Sequence, residues 1–260
     1  MIMDLIKSSD SQYEKYERLL LERDQLNKES GQIWTVYLQM FGQLISDNYE
    51  EKLACIKCKK TIAYYQNMLN HRGVIDPVAL EKHLEQEMKE YYANLRRMIK
   101  ENEAAKNART STRYEVERTK TLYRRLAKLL HPDMNPKTEN SDVLQDLWNR
   151  ILIAYYSNSV KELAELEVLA RKALQELGAD AVEIEIPDIE EKIELVKEEI
   201  DQITHSEPYI LRYLVEDEDA SERKRASLQA ELESYQNYHR ELKNIILQML
   251  QSGGVTIYVE

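Results

Sequence analysis

The sequence predicts a mainly α-helical protein: an N-terminal helical bundle, a central helical hairpin and a C-terminal antiparallel coiled-coil hairpin. Three observations lead there. Only 6 Gly and 5 Pro occur in 260 residues, while 32% of the residues are charged, a composition suited to long helices. Apolar residues recur at spacings of three and four through most of the chain, the period of one helix face. The strongest punctuation, His131-Pro132-Asp133, falls between two such segments, so it reads as the turn of a hairpin.

In chain order, a first helix is expected over 11–46, with Trp34, Tyr37, Phe41 and Leu44 as its stripe. Gly31 is a candidate bend. Asp47-Asn48 reads as a turn, because both side chains can bond to nearby backbone. A second helix is expected over 49–70 and is stopped by Gly73. Asp76 and Pro77 then supply an N-cap and a first helical position. The third helix carries Leu80, Leu84, Met88, Tyr91, Leu95 and Met98 in phase. Three antiparallel helices would cover one another's stripes, which makes residues 1–108 a bundle. Its aromatic and Met stripes are core. The polar stretch 101–112 is read as a near-continuous helix broken near Ser111.

The next segment, 109–178, is the centre of the reading. Tyr123, Leu126, Ala127 and Leu130 lie at i, i+3, i+4 and i+7 on one apolar face. Lys120, Arg124, Arg125 and Lys128 lie on the other face, toward solvent. Pro132 disfavours the helical region for His131, so this helix ends at about Leu130. A partner helix resumes at about Ser141, with Val143, Leu144, Leu147, Trp148, Ile151, Ala154 and Tyr155 in phase. The hairpin presents His131 and Asp133 at its tip. A further helix is expected from Val160 to Leu177, stopped by Gly178.

This segment resembles the J domain, the module by which J-domain (DnaJ-like) co-chaperones engage DnaK-type heat-shock chaperones. The resemblance covers about residues 118–170. It rests on the Tyr-basic-basic-Leu-Ala run at Tyr123–Ala127 just before His-Pro-Asp, and on Lys120 three places before the Tyr. It also rests on Asn135 two places after the Asp, and on Trp148, Ile151 and Ala154-Tyr155 in the partner helix. The family's short first helix and fourth-helix ending are not matched, and its glycine-rich linkers and zinc-binding cysteine repeats are absent. The resemblance implies that Lys120, Arg124, Arg125 and Lys128 steer and hold an acidic surface of the chaperone. Tyr123 would lock the two helices together. His131, Pro132, Asp133 and Asn135 would form the turn that touches the chaperone where ATP hydrolysis is coupled to substrate trapping. Rim charges of this kind set association rate and salt dependence more than affinity. A rigid Pro132 turn loses little entropy on binding. The implied protein is no enzyme; it biases a two-state partner. The alternative is a coiled-coil scaffold in which the hairpin is structural and uncoupled from any chaperone, with His131 buried or salt-bridged.

In 179–260, Ile189, Ile193, Val196, Ile200 and Ile203 form one seam, and Leu228, Leu232, Tyr235, Leu242, Ile245 and Met249 form another. Together they predict a coiled-coil hairpin. Alternating runs at 181–186 and 254–259 are expected to pair as a small two-stranded sheet at its base, with a frayed tail as the alternative. The tip, between Ser206 and Ser221, holds Tyr209, Ile210, Tyr213 and Leu214. These are read either as a partner patch or as a short helix capping the hairpin.

Charge and cysteines bound the remainder. The net charge of −11 argues against general nucleic-acid binding. The distribution is uneven: residues 96–137 carry 12 basic and 5 acidic side chains, residues 160–260 carry 11 and 24. A basic patch in an acidic protein points to an acidic protein surface or an intramolecular partner, against the plainer reading of a solvated helix face. An acidic C-terminal hairpin lying over the basic face would be autoinhibitory. Cys55 and Cys58 step in phase with Ile62, Tyr65 and Leu69, so they are read as core, and no zinc partner set follows them. No cofactor or metal is expected. His131 and Asp133 at a convex, wet tip lack the pocket and orienting group that acid–base catalysis needs. No apolar run is long enough to span a membrane and no leader pattern opens the chain, so a cytoplasmic location is the default expectation.

Overall fold

A computed structural model describes residues 2–71, 75–177 and 188–251, with side chains from Gln12 onward. The protein is mainly α, and no strand occurs among the described residues. The helices are α1 (Ile2–Asn70), α2 (Pro77–Lys106), α3 (Arg113–Leu130), α4 (Pro136–Glu139), α5 (Asp142–Tyr156), α6 (Val160–Glu176), α7 (Ile189–Thr204), α8 (Arg212–Glu216) and α9 (Glu218–Gln251). A 3₁₀ turn, Tyr209–Leu211, precedes α8. The expected strands 181–186 and 254–259 lie outside the described residues.

The chain divides into two compact units, Met1–Gln32 with Arg109–Ile210 and Ile33–Ala108 with Leu211–Glu260. These boundaries differ from the expected division at 1–108, 109–178 and 179–260. The cause is α1, a single helix of 69 residues that contributes to both units. Neither Gly31 nor Asp47-Asn48 breaks it. Gly31 is one Gly within a long helix, and its cost of about 1 kcal/mol is small against the packing on either side. At the expected turn the side chains serve the helix instead. Asn48 donates to the Leu44 carbonyl (2.8 Å) and to the Leu228 carbonyl of α9 (2.9 Å). Asp47 accepts from Gln43 at 2.9 Å.

In the first unit, α3, α5 and α6 enclose a core of sixteen buried residues. Tyr123, Leu126, Ala127 and Leu130 come from α3; Trp148, Ile151, Ala154 and Tyr155 from α5; Leu163, Leu166 and Ala170 from α6. The Tyr123 and Tyr155 rings stack at 3.9 Å. Starts are encoded locally. Thr112 and Glu115 form a reciprocal capping box on α3, and the Ser141 hydroxyl caps α5. A second, smaller cluster joins Tyr16 and Leu20 of α1, Met134, and Ile193 and Val196 of α7.

In the second unit, α1 carries α2 on one side through Leu53, Met88 and Leu95. Asp76 caps α2 through the Val78 N–H and Pro77 opens it, as expected from sequence. The α2 helix ends at Lys106, earlier than the near-continuous helix expected. The α9 helix also packs on α1: Cys55 Sγ donates to the Tyr235 carbonyl at 3.4 Å, and Ile246, Met249 and Leu250 pack around Tyr65 and Ile75. Ile193 and Val196 of the first C-terminal seam pack with Tyr16 and Leu20 of α1 in the first unit, and Met249 of the second seam packs with Tyr65 of α1 in the second. The uninterrupted α1 thus offers each seam an apolar partner. At the expected tip, Leu211 and Leu214 are buried while Ile210 and Tyr213 face solvent. The four-residue patch is thus not intact: Leu214 is spent in packing, and the segment folds as short helical turns.

Asn102, buried in α2, donates to the Gly42 carbonyl (2.7 Å) and to Ser46 Oγ (2.6 Å) of α1. A Cβ at position 42 would strike the Asn102 amide. Gly42→Ala is expected to cost about 1–3 kcal/mol in a urea melt, because the amide must leave both partners. A change under about 0.5 kcal/mol would contradict this close approach.

Candidate functional site

The site is built from the turn upward. Pro132 ends α3 and leaves His131 as its C-cap in extended conformation. The turn satisfies its own backbone. The His131 carbonyl accepts from the N–H groups of Met134 (2.9 Å) and Asn135 (2.8 Å). Asn135 donates its amide to the Leu129 carbonyl (2.8 Å) and caps α4 by accepting from the Lys137 N–H (3.1 Å). The Asp133 N–H donates to His131 Nδ1 at 3.1 Å. Nδ1 is the acceptor in this contact, which leaves Nε2 facing Arg23 Nη2 at 3.3 Å and Asp24.

That Nε2 points into the first unit. It lies 3.5 Å from Asp24 Oδ2, and the ring meets Trp148 edge-on at 4.9 Å. His131 is 3% exposed. Asp24 also accepts from the Tyr123 hydroxyl (2.6 Å) and from Arg23 Nη2 (3.0 Å). Burial pushes the Asp24 carboxyl up, but the hydrogen bond from His131, the Arg23 charge and the Tyr123 hydroxyl outweigh it and hold the pKa below the ordinary value. Burial, followed by the Asp24 charge, drives the Tyr123 phenol far above its usual range. Arg23 continues outward. Its Nη1 lies 3.5 Å from Asp133 Oδ2 and 3.1 Å from Glu199 Oε2 of α7. Tyr16, beneath them, has its phenol pushed up to about 12 by burial and by Asp133 and Glu199. A recess of about 450 Å³ over the turn is lined by Arg23, Asp24, His131, Asp133, Trp148 and Glu199, among others.

Of the four basic residues expected on the outer face of α3, Arg124, Arg125 and Lys128 are exposed. Arg125 is bridged to Glu167 of α6 at 2.8 Å, and Lys128 to Glu17 of α1 at 2.7 Å. Bridges this exposed are worth about 0–1 kcal/mol each and yield to a competing partner. Lys120 is half-buried.

Pro132 and Asp133 lie half-buried at the turn, while Tyr123 and Asn135 are buried. At the tip, His131 is buried, its ring held by Arg23 and Asp24 of α1 and by Trp148 of α5. Sequence reasoning missed Glu17, Arg23, Asp24, Lys28 and Glu199. One signal was available. Tyr16, Leu20, Asp24 and Lys28 step by four, so a stripe that begins apolar continues with charge and must meet polar partners if it is buried.

Lys28 is the far end of that stripe. It is 2% exposed, donates to Asn158 Oδ1 at 2.6 Å, and lies 3.8 Å from the centroid of the Tyr155 ring. Burial, then the nearby Lys120, lowers its pKa to about 8. A lysine whose pKa is lower folded than unfolded destabilises the fold most below the folded value. The penalty lifts as pH rises from about 8 toward 10.5. Stability is therefore expected to rise between pH 8 and 9.5, below the range where tyrosines ionise, and this rise should vanish in Lys28→Met. An equal rise in both proteins would contradict it.

Both ring nitrogens of His131 have partners: Nδ1 the Asp133 N–H, and Nε2 the Asp24 carboxylate and Arg23 Nη2 at 3.3 Å. Comparison with family models, with curated proteins and with solved structures finds no match. Among the described residues no helix is long and apolar enough to cross a membrane.

Proposed function

We propose that this chain is a J-domain-type co-chaperone that binds a DnaK-type heat-shock chaperone and stimulates its ATPase, with the flanking helical regions supplying client or partner contacts. The observation that carries the reading is the helix–turn–helix itself. It has His131-Pro132-Asp133 at its turn, Tyr123, Leu126 and Leu130 locked against Trp148, Ile151 and Tyr155, and Arg124, Arg125 and Lys128 outward beside the turn. Resemblance supplies the partner; the geometry supplies a surface of the right charge next to the motif. An outward basic face attracts an acidic surface and raises the association rate, more strongly at low salt. The chain performs no chemistry of its own in this reading and needs no nucleotide.

One observation favours the second reading, a scaffold in which the hairpin is structural: His131 is 3% exposed and satisfied within the fold. A steady-state ATPase assay with a DnaK-type chaperone separates them. The wild type is expected to stimulate hydrolysis, and His131→Gln and Asp133→Asn to lose that stimulation while keeping the wild-type far-UV circular dichroism. No stimulation under any condition selects the scaffold, and full stimulation by Asp133→Asn overturns the role given to the turn.

A further inference from the structure

The contacts made by residues 13–28 of α1 have a pattern that packing alone does not require. Glu17 bridges Lys128 of the basic face at 2.7 Å. Six residues on, Arg23 lies 3.5 Å from Asp133, and Asp24 lies 3.5 Å from His131. One helix thus sets an acid against the base of α3 and a base against the acid of the turn, the complement of both halves of the candidate interface. Glu199 of α7 holds Arg23 from the far side at 3.1 Å.

The attachment is also separable. The sixteen buried residues of the main core all come from α3, α5 and α6, and none from α1 or α7. The α1 segment and α7 are joined to the turn through their own cluster, Tyr16, Leu20, Ile193 and Val196 around Met134. Beyond that cluster, the half-buried Leu21 packs against the edge of the main core, Gln25 accepts from the Tyr155 hydroxyl at 2.7 Å, and Lys28 donates to Asn158 and lies over the Tyr155 ring. An element held by polar groups and a small apolar cluster can leave without dissolving a core to which it contributes no fully buried side chain.

We propose that Tyr13–Lys28 of α1, clamped by Glu199 of α7, is an autoinhibitory strap that occupies the His-Pro-Asp turn and part of the basic face, and that an acidic partner surface must displace it. This rests on the co-chaperone reading above. The cover expected from sequence was the acidic C-terminal hairpin; the strap comes chiefly from the N-terminal helix and has both charges. It reconciles a buried His131 with a binding motif, because the closed state lowers apparent affinity by the fraction of open molecules.

The test uses the full chain in a Trp34→Phe background, so that Trp148, which lines the recess with Arg23, is the one remaining tryptophan. Arg23→Ala with Glu199→Ala opens the strap through its polar clamp; Leu20→Ala opens it through the apolar cluster, should the first pair fold poorly. Two readouts are taken: quenching of Trp148 by acrylamide, and stimulation of a DnaK-type ATPase. The proposal expects greater quenching with retained helicity and at least threefold more stimulation than the parent, abolished by adding Asp133→Asn. Parent and opened chains that stimulate equally overturn the strap and leave the co-chaperone reading standing. No stimulation by either, despite greater quenching, overturns both. Unchanged quenching in every variant shows that the segment is an integral part of the fold and overturns the strap.

Discussion

Tyr123→Ala lowers the stability of the first unit by about 3–5 kcal/mol, the range for removing a large buried aromatic side chain. Three losses combine. The ring is 2% exposed and stacks on Tyr155 at 3.9 Å, so its removal opens a cavity between α3 and α5. The Trp148 ring, 5.8 Å away, loses a neighbour. The hydroxyl that donates to Asp24 at 2.6 Å disappears as well. Tyr123→Phe separates these effects: it keeps the ring and removes only the hydroxyl, for about 1–2 kcal/mol. Urea denaturation followed by circular dichroism measures both. A Tyr123→Ala loss under about 1 kcal/mol would contradict the packing described.

Asp24→Ala is expected to be as damaging, at about 3–5 kcal/mol, for a different reason: it strands the partners of a buried charge. The Tyr123 hydroxyl, His131 Nε2 and the Arg23 guanidinium all lie against this carboxylate. The linkage has a definite sign. The folded pKa of Asp24 lies below the ordinary 3.8, so the unfolded chain binds the proton first as acid is added. The carboxylate's contribution is present above about pH 4 and is lost as pH falls through the folded value. Wild type should lose stability between pH 5 and 3 more steeply than Asp24→Asn, which has no proton to gain. Parallel curves would mean that the carboxylate titrates alike in both states.

These two residues show what the sequence made legible. Tyr123 was readable because its role follows from local pattern: the helix phase, the stop at Pro132, and the aromatic step from Trp148 to Tyr155 place it in a core without reference to distant residues. The starts of α2 and α5 were readable for the same reason, since Asp76-Pro77 and Ser141 act within one turn. Asp24 was not. Its partners lie roughly a hundred positions away, and a charged residue on an apolar stripe looks like a solvated one until its neighbours are known. The α1 partners of the α7 and α9 seams were hidden in a related way. Periodicity shows that a stripe is covered, but it does not say by what, and residues of α1 pack against each. The continuity of α1 across Asp47-Asn48 was hidden because these side chains bond equally well to a turn or, as here, to the helix and to α9.

The central claim is that His131 and Asp133 act on a chaperone. It is tested most directly by single-turnover ATP hydrolysis by a DnaK-type chaperone, over a titration of this chain with its strap opened by Arg23→Ala and Glu199→Ala, with and without Asp133→Asn. The account predicts a saturable rise in hydrolysis rate that Asp133→Asn removes without unfolding the protein. A flat titration by the opened chain, or a rise that Asp133→Asn leaves intact, would contradict it.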